Sequence, residues 1–361
     1  MKLVCPREEL ARGLQTVLRS VGARAGIPAL SGVLMELGDE DLQLTTTDLE
    51  LTTHVRVPIT GESGKIVVPA RLLADIVRNL PAEDVELVVE NGTVRVSGGP
   101  SKFNLRTLAA EDFPKVDPPA DTRQLRIAGD VLARALSQIS ASASRDETRP
   151  VLTGVLFEGE GDELRLVATD SYRLAVRSLE VDGADGVKFL VHARAVVEVA
   201  RLAAECEEVA INVASSQVGF SLGAVTIQSR LIDGEFPAYK QLLPDDLPNR
   251  LTVPKEQFIA SLKRVAVLAQ DATPVFLEAD PAGSRLTCQS QGVGDASEDI
   301  EGAYSGDPIR VAFNAQYLEA GAAACGSDDV LLDLSEAQRP GLIHGSDEES
   351  FRYLLMPIRV S

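Results

Sequence analysis

LVCPREELARGLQTV begins at Leu3, LRIAGDVLARALSQI at Leu125 and LTVPKEQFIASLKRV at Leu251. Each reads as a strand running into a helix, and the opening returns after 122 and then 126 residues. Other landmarks return in the same order. LQLTTTDLEL from Leu42 answers to LRLVATDSYRL from Leu164. VVPARLLADIVRNL from Val67 answers to LVHARAVVEVARLA from Leu190 and RVAFNAQYLEAGAA from Arg310. Segments ending in Pro close the repeats at Pro114, Pro237 and Pro357. A period this long is a domain, not a solenoid unit. Three similar domains are therefore expected, at 1–117, 124–245 and 250–361, joined by Pro- and Asp-rich linkers at 115–124 and 242–250.

Inside each repeat a smaller plan occurs twice: strand, helix, then three strands. In the first repeat, a strand at about 2–5 precedes a helix whose Leu10, Leu14, Val17, Leu18 and Val21 make one apolar stripe. Alternating segments at about 30–37, 41–47 and 50–58 read as strands. The second half opens at 65–68 and predicts a helix over 70–79 with Leu72, Leu73, Ile76 and Val77 on one side. VELVVENGTVRVSG then reads as a hairpin, because Asn-Gly supplies the two positive-φ positions of a tight turn. A last strand is expected at 103–108. Polar and apolar residues alternate along the strands, as in antiparallel sheets with one wet face. The fold class is α+β, with two helices per domain packed on antiparallel sheets.

The 361 residues include no apolar run of 18 or more and no charged-then-apolar leader, which predicts a soluble chain without membrane anchor or export signal. Cys5, Cys206, Cys288 and Cys325 are far apart and form no CxxC, and His54, His192 and His344 are scattered. Reduced cysteines and no metal site are expected. The net charge of −19 argues against nucleic acid. The objection weakens if basic residues are gathered locally, because salt screens charges over about 8 Å. Arg71 and Arg78 lie seven apart on the second helix of repeat one, and Arg194 and Arg201 repeat that spacing 123 residues later. Seven residues are two helical turns, so each pair is expected on one face. Arg12 and Arg134 match on the first helices, while Asn314 stands where repeat three would place an arginine. Such pairs are either ordinary solvated helix faces or a basic surface for phosphates that reads no bases.

Catalytic motifs are absent. GESGKI (61–66) lacks the phosphate-loop spacing, and SGGPSK (97–102) opens no helix, so both read as turns. ATDSYR (168–173) has no neighbouring histidine, and its Asp is expected to cap a turn. The acidic runs Asp39-Glu40-Asp41, Asp245-Asp246 and Asp328-Asp329 fall in turn-like stretches. No set of nucleophile, base and orienting group emerges, and no cofactor is implied.

Four segments of the second and third repeats stand out from what the repeats share: RPVLTGVLFE (149–158), ATDSYRLAV (168–176), LIDGEFPAYKQLLP (231–244) and YLLMPIRV (353–360). In this order, on a threefold repeat, they resemble the bacterial sliding clamp family, the β subunits of DNA polymerase III, over the whole chain. The resemblance implies a non-enzymatic processivity factor: a head-to-tail homodimeric ring with helices lining the hole, encircling duplex DNA without sequence preference. It implies the replicative polymerase, a clamp loader and other clamp-motif repair and replication proteins as partners, in the cytoplasm, with no membrane.

By position, the resemblance places a partner-peptide pocket at Leu152, Thr169, Ser171, Tyr172, Arg173, Leu174, Pro244, Leu247, Leu355, Met356, Pro357, Ile358 and Arg359. DNA contacts are expected at Arg24, Arg71, Arg149 and Arg194, with Arg78 and Arg201 behind them. Some members carry aromatic residues after the Arg149 position; Pro150 and Val151 stand there here. Phe103, on a candidate edge strand, is the expected anchor of the subunit contact, against Val267 and Leu268 of the second copy. A clamp-derived peptide-binding scaffold or paralogue not loaded on DNA is the alternative.

Overall fold

A computed structural model describes residues 1–22, 27–116, 118, 122–244, 246–269 and 273–359. Arg24, Asp245 and the expected domain ends at 117, 245 and 361 lie outside the described residues. Six α-helices occur among those described: α1 (Arg7–Val17), α2 (Ala70–Asn79), α3 (Gly129–Ser140), α4 (Ala193–Ala203), α5 (Lys255–Val265) and α6 (Ala315–Ala324). They stand two to a repeat; five follow a strand directly, and α6 follows one after Asn314 alone.

The first helix shows why these segments fold as they do. Pro6 precedes α1, and Glu8 and Glu9 occupy its first turn, where acidic side chains favour the positive end of the helix dipole. Leu10, Leu14 and Val17 are fully buried. Gly13 lies on the same face, and an added Cβ would sit 3.0 Å from Leu44 and Val57, so the missing side chain allows close packing on the sheet. The α-helix stops at Val17 and tightens to a 3₁₀ turn over Leu18–Ser20, leaving Leu18 and Val21 partly buried. On α2 the buried residues are Ala70, Leu73, Ile76 and Val77. Leu72 is 49% exposed, not part of the buried side as the spacing suggested. The shift is one of phase: Ala70, Leu73 and Val77 hold the i, i+3, i+7 stripe, and Leu72 falls beside it.

The strands form antiparallel sheets. One compact unit comprises Met1–Ala133 with Glu198–Leu231, and the other Arg134–Val197 with Ile232–Ser361. In the first unit, a five-stranded sheet ends on Ser101–Arg106, and an eight-stranded sheet runs from Arg123–Ala128 to Gly64–Pro69. Within the eight-stranded sheet, Val225–Arg230 of the second repeat pairs with Leu51–Val57 of the first, with Ile227 opposite Thr53. The second unit holds a nine-stranded sheet in which Arg173–Glu180 pairs with Glu348–Leu355, with Ala175 opposite Tyr353. A four-stranded sheet ends on Gly294–Ile300. Repeats thus join by continuing each other's sheets, which satisfies edge hydrogen bonds that would otherwise be open.

The expected hairpin is present: Asp84–Glu90 pairs with Thr93–Gly98 around Asn91 at φ 49° and Gly92 at φ 73°. Its following strand is Ser101–Arg106, two residues earlier than the pattern placed it. The two TD motifs build the same turn. Asp48 Oδ1 accepts from the Glu50 and Leu51 N–H groups, and Asp170 Oδ1 from those of Tyr172 and Arg173. Leu49 and Ser171 follow at φ 80° and 82°, the left-handed conformation in both copies. Cys5, Cys288 and Cys325 are buried free thiols, and Cys206 is a half-buried one. No helix among the described residues is long and apolar enough to cross a membrane.

Candidate functional site

The turn at Asp170 and the end of the strand Glu348–Leu355 come together because their strands pair. Arg173 stands opposite Leu355 and Leu174 opposite Leu354. The pairing continues past the last strand residue, where the Met356 N–H donates to the Tyr172 carbonyl at 2.9 Å. Two residues on, the Ile358 N–H donates to the Ala312 carbonyl at 2.8 Å, which pins the C-terminal segment to a second strand.

Side chains alternate across this pair. On one face Leu174 and Leu354 join Leu156, Val167, Val176, Leu190 and Tyr239 in a buried apolar cluster, with Val151, Leu243 and Leu342 packed at its margin. Met356 lies at the edge of this surface and is 42% exposed. Leu355 is fully buried and does not belong to the cluster. Leu152 is half-buried in the 3₁₀ turn Pro150–Thr153, held by hydrogen bonds to Arg149 and Ser144. Pro244, Pro357 and Ile358 are half-buried, and Arg359 is exposed. Leu247 is half-buried but is not among the residues packed on the cluster.

Arg173 stands opposite Leu355, so its side chain leaves the strand pair on the other face, where it holds the turn. Its Nε donates to Asp170 Oδ2 at 3.0 Å, Nη1 reaches the Tyr353 hydroxyl at 3.5 Å, and Nη2 donates to the Ala141 carbonyl. The guanidinium carbon lies 4.2 Å from the centre of the Tyr317 ring. Burial works against the charge of Arg173, but the Tyr353 and Asp170 partners outweigh it and keep its pKa raised. Thr169 is buried, its hydroxyl donating to the Arg173 carbonyl at 2.6 Å and accepting from the Ser171 N–H. Ser171 and Tyr172 project outward, Tyr172 61% exposed. The result is an apolar cluster with an exposed methionine at its edge and an exposed serine and tyrosine in the adjoining turn, which the guanidinium braces from the opposite face of the strand pair. Such a surface suits apolar side chains of a short peptide, with polar groups to orient its backbone.

The sequence reading passed over Tyr317, Leu354, Leu342 and Val151. Leu354 is visible in YLLMPIRV once strand alternation is applied from Met356. Tyr317 and Leu342 come from other strands and helices of the third repeat, and nothing in their local pattern links them to Arg173.

The arginines are exposed as the helical spacing requires: Arg71 and Arg78 on α2, Arg194 and Arg201 on α4. Arg78 pairs with Asp75 at 2.9 Å, Arg201 with Glu198 at 3.2 Å and Arg149 with Asp146 at 2.9 Å. Arg149 also donates to Ser171 Oγ at 3.1 Å. Arg78–Asp75 and Arg149–Asp146 are exposed pairs, of the kind that contributes about 0–1 kcal/mol, so a phosphate can compete for those arginines. α6 carries no basic residue. Phe103 is 41% exposed on the edge strand Ser101–Arg106. Val267 is 79% exposed and Leu268 half-buried, both in the turn Ala266–Leu268 after α5. Among the described residues no group of His, Cys, Asp and Glu side chains is arranged to hold a metal ion.

Three family models match in series along the chain. The N-terminal domain of the DNA polymerase III beta subunit matches residues 1–117, its central domain 126–238 and its C-terminal domain 240–359. The chain belongs to the DNA polymerase III beta subunit family. This is the family of the bacterial sliding clamps, non-enzymatic processivity factors of DNA replication. The beta sliding clamp of Streptomyces coelicolor is 32% identical over 376 residues, and that of Vibrio cholerae 31% identical over 367, each covering 100% of both chains. Among solved structures, the sliding clamp from Pseudomonas aeruginosa bound to griselimycin superposes with TM-score 0.95 at 31% identity, and that from Bacillus subtilis with TM-score 0.94 at 27%. Both alignments cover 100% of each chain. The clamp fold therefore extends across all three repeats.

Proposed function

We propose that two copies of this sliding clamp, each of three domains (1–117, 124–245 and 250–361), join head to tail as a cytoplasmic ring around duplex DNA. The observation that carries the reading is the repeated placement of exposed arginines on α2 and α4 of a chain whose net charge is −19. In a ring with its helices inward, Arg71, Arg78, Arg194 and Arg201 meet phosphates while the acidic remainder faces away from DNA. Arg149, in the loop before Pro150, adds to this surface, and Arg24 belongs to the same set. Few simultaneous contacts permit sliding, and they imply a shallow dependence of DNA affinity on salt.

The subunit contact is proposed between the edge strands Ser101–Arg106 and Gly294–Ile300. The first carries Lys102, Phe103 and Arg106; the second carries Asp295, Glu298 and Asp299. Open edges of opposite charge are complementary, and a heterologous contact that closes after two copies is a permitted assembly. Phe103 packs there against Val267 and Leu268 of the second copy. The surface around Leu174, Met356, Tyr172 and Arg173, with Leu152, Thr169, Ser171, Pro244, Leu247, Leu355, Pro357, Ile358 and Arg359, receives short apolar peptides of the polymerase, the loader and other replication and repair proteins.

Retention on DNA tests the reading. With a clamp loader and ATP, the chain stays on nicked circular DNA through gel filtration and runs off the same DNA once it is linearised. Loss from both forms favours a clamp-derived scaffold that binds peptides without encircling DNA, a reading supported by α6, which carries Glu319 and no basic residue.

A further inference from the structure

The second repeat fills a space that the first leaves open. In the second, Tyr239 is 4% exposed and belongs to the cluster of Leu156, Val167 and Val176. Its ring stands edge-on to Phe236, with centroids 6.5 Å apart and planes at 74°. Its hydroxyl donates to Glu158 Oε2 at 2.9 Å, and Glu158 Oε1 pairs with Lys188 at 3.1 Å. Burial acts to raise the pKa of Glu158, but the Tyr239 and Lys188 hydrogen bonds outweigh it and keep the group ionised as an acceptor.

Strand register fixes the counterparts in the first repeat. Leu34 lies between Thr45 and Val67 as Leu156 lies between Val167 and Leu190. Thr45 stands opposite His54 as Val167 stands opposite Val176. Glu36 and Lys65 replace Glu158 and Lys188 and pair at 2.6 Å. Phe113 replaces Phe236, each followed by Pro, and Val116 then takes the place of Tyr239. Valine has no phenol ring. What remains among Leu34, Glu36, Thr45, His54, Phe113 and Val116 is a cavity of about 490 Å³. Its apolar wall is preserved, since Leu34 and Phe113 are buried together. Its floor is more polar, since Thr45 Oγ1 and His54 Nδ1 hydrogen-bond at 2.9 Å where the second repeat has two valines.

We propose that this cavity binds a tyrosine side chain of a partner polypeptide, with the ring against Leu34 and Phe113 and the hydroxyl donating to Glu36. The second repeat performs the same act internally with Tyr239, and that is the ground for naming a phenol and not a generic apolar group. The site is separate from the surface around Arg173 and Met356, and it does not depend on the proposal for DNA.

The test uses the full chain and N-acetyl-3-fluorotyrosinamide as the probe, followed by fluorine NMR line broadening, with N-acetyl-4-fluorophenylalaninamide as comparator. The tyrosine probe should broaden, with affinity about tenfold above that of the phenylalanine probe, the worth of a hydrogen bond to a charged acceptor. Val116→Tyr refills the cavity from within and should abolish the broadening, while Met356→Ala leaves it intact. Glu36→Gln, a substitution of nearly equal size at a half-buried position, should remove the preference for the tyrosine probe and gives an independent reading should Val116→Tyr fail to fold. No broadening with the unsubstituted chain, broadening that survives Val116→Tyr in a folded protein, or a preference that survives Glu36→Gln each overturns the proposal.

Discussion

The guanidinium of Arg173 lies over the ring of Tyr317, its central carbon 4.2 Å from the ring centre, and the Tyr317 carbonyl accepts the hydroxyl of Tyr353 at 2.8 Å. The second repeat thereby grips α6 of the third through one side chain. The grip is tight because α6 carries Gly321 against the Tyr353 ring, where an added Cβ would sit 2.6 Å from the ring carbons.

Arg173→Ala leaves Asp170, 7% exposed, without its cation. Breaking a largely buried pair costs about 3–5 kcal/mol. Chemical denaturation should show a loss in this range, and peptide affinity should fall with it. Arg173→Lys keeps the charge but loses the planar stack on Tyr317 and the forked contacts to Asp170 and Tyr353. Its cost should be nearer about 1–2 kcal/mol, the scale of a desolvated cation–π contact.

Met356 and Leu174 separate binding from stability. Leu174 is 1% exposed inside the apolar cluster, so Leu174→Ala should destabilise the fold by about 2–5 kcal/mol. Its effect on a peptide titration then mixes two causes. Met356 is 42% exposed, so Met356→Ala should leave the melting temperature nearly unchanged. Fluorescence titration with a labelled peptide from the polymerase tail should nonetheless show about 5–30-fold weaker binding, as for a contact residue of moderate weight. Unchanged affinity would remove Met356 from the peptide surface.

The fold was largely legible because its signals are local. The helix stripe of Leu10, Leu14 and Val17, the Asn91-Gly92 turn and the paired TD turns each act within a few residues, and the repeat shows each more than once. Leu72 was misplaced because a ten-residue helix has too few turns to fix the phase of its buried side by spacing alone. The residues proposed for the peptide surface could be named from sequence only where a chain segment carries them together, as at 169–174 and 355–359. Tyr317 enters through the pairing of Arg173–Glu180 with Glu348–Leu355, a contact between residues about 180 apart whose register no local pattern encodes. The open cavity at Val116 was hidden for a related reason. It is defined by a side chain that the second repeat has and the first lacks, and that difference acquires meaning only when the register is known.

Phe103→Ala tests the proposed subunit contact. The ring is 41% exposed on an edge strand, so its removal should cost the isolated fold little. If the ring anchors a second copy, sedimentation should show the dimer dissociating at higher concentration, with about 2 kcal/mol lost from association. A sedimentation profile unchanged by the substitution would exclude this edge as the contact.

The other proposed edge carries a pH dependence. Arg264, in the last turn of α5, donates from Nε to Glu298 Oε2 at 3.0 Å and from Nη2 to Oε1 at 2.5 Å, tying the edge strand Gly294–Ile300 to the helix. Hydrogen bonds from Arg264 and Ser261 pull the Glu298 pKa down from 4.5 to about 2. Because the folded value lies below the ordinary one, ionised Glu298 stabilises this contact fully above about pH 4.5. The stabilisation fades as pH falls and is gone once the carboxyl protonates near 2. Arg264→Gln removes the principal cause, so NMR titration of the Glu298 carboxyl should show its midpoint returning towards 4.5. The same substitution loosens the strand that is proposed to meet Ser101–Arg106, so the unsubstituted dimer should dissociate more readily below about pH 4.5 than at neutral pH, and this difference should shrink in Arg264→Gln. A Glu298 midpoint unmoved by Arg264→Gln would show that the fork of hydrogen bonds does not hold the strand in solution.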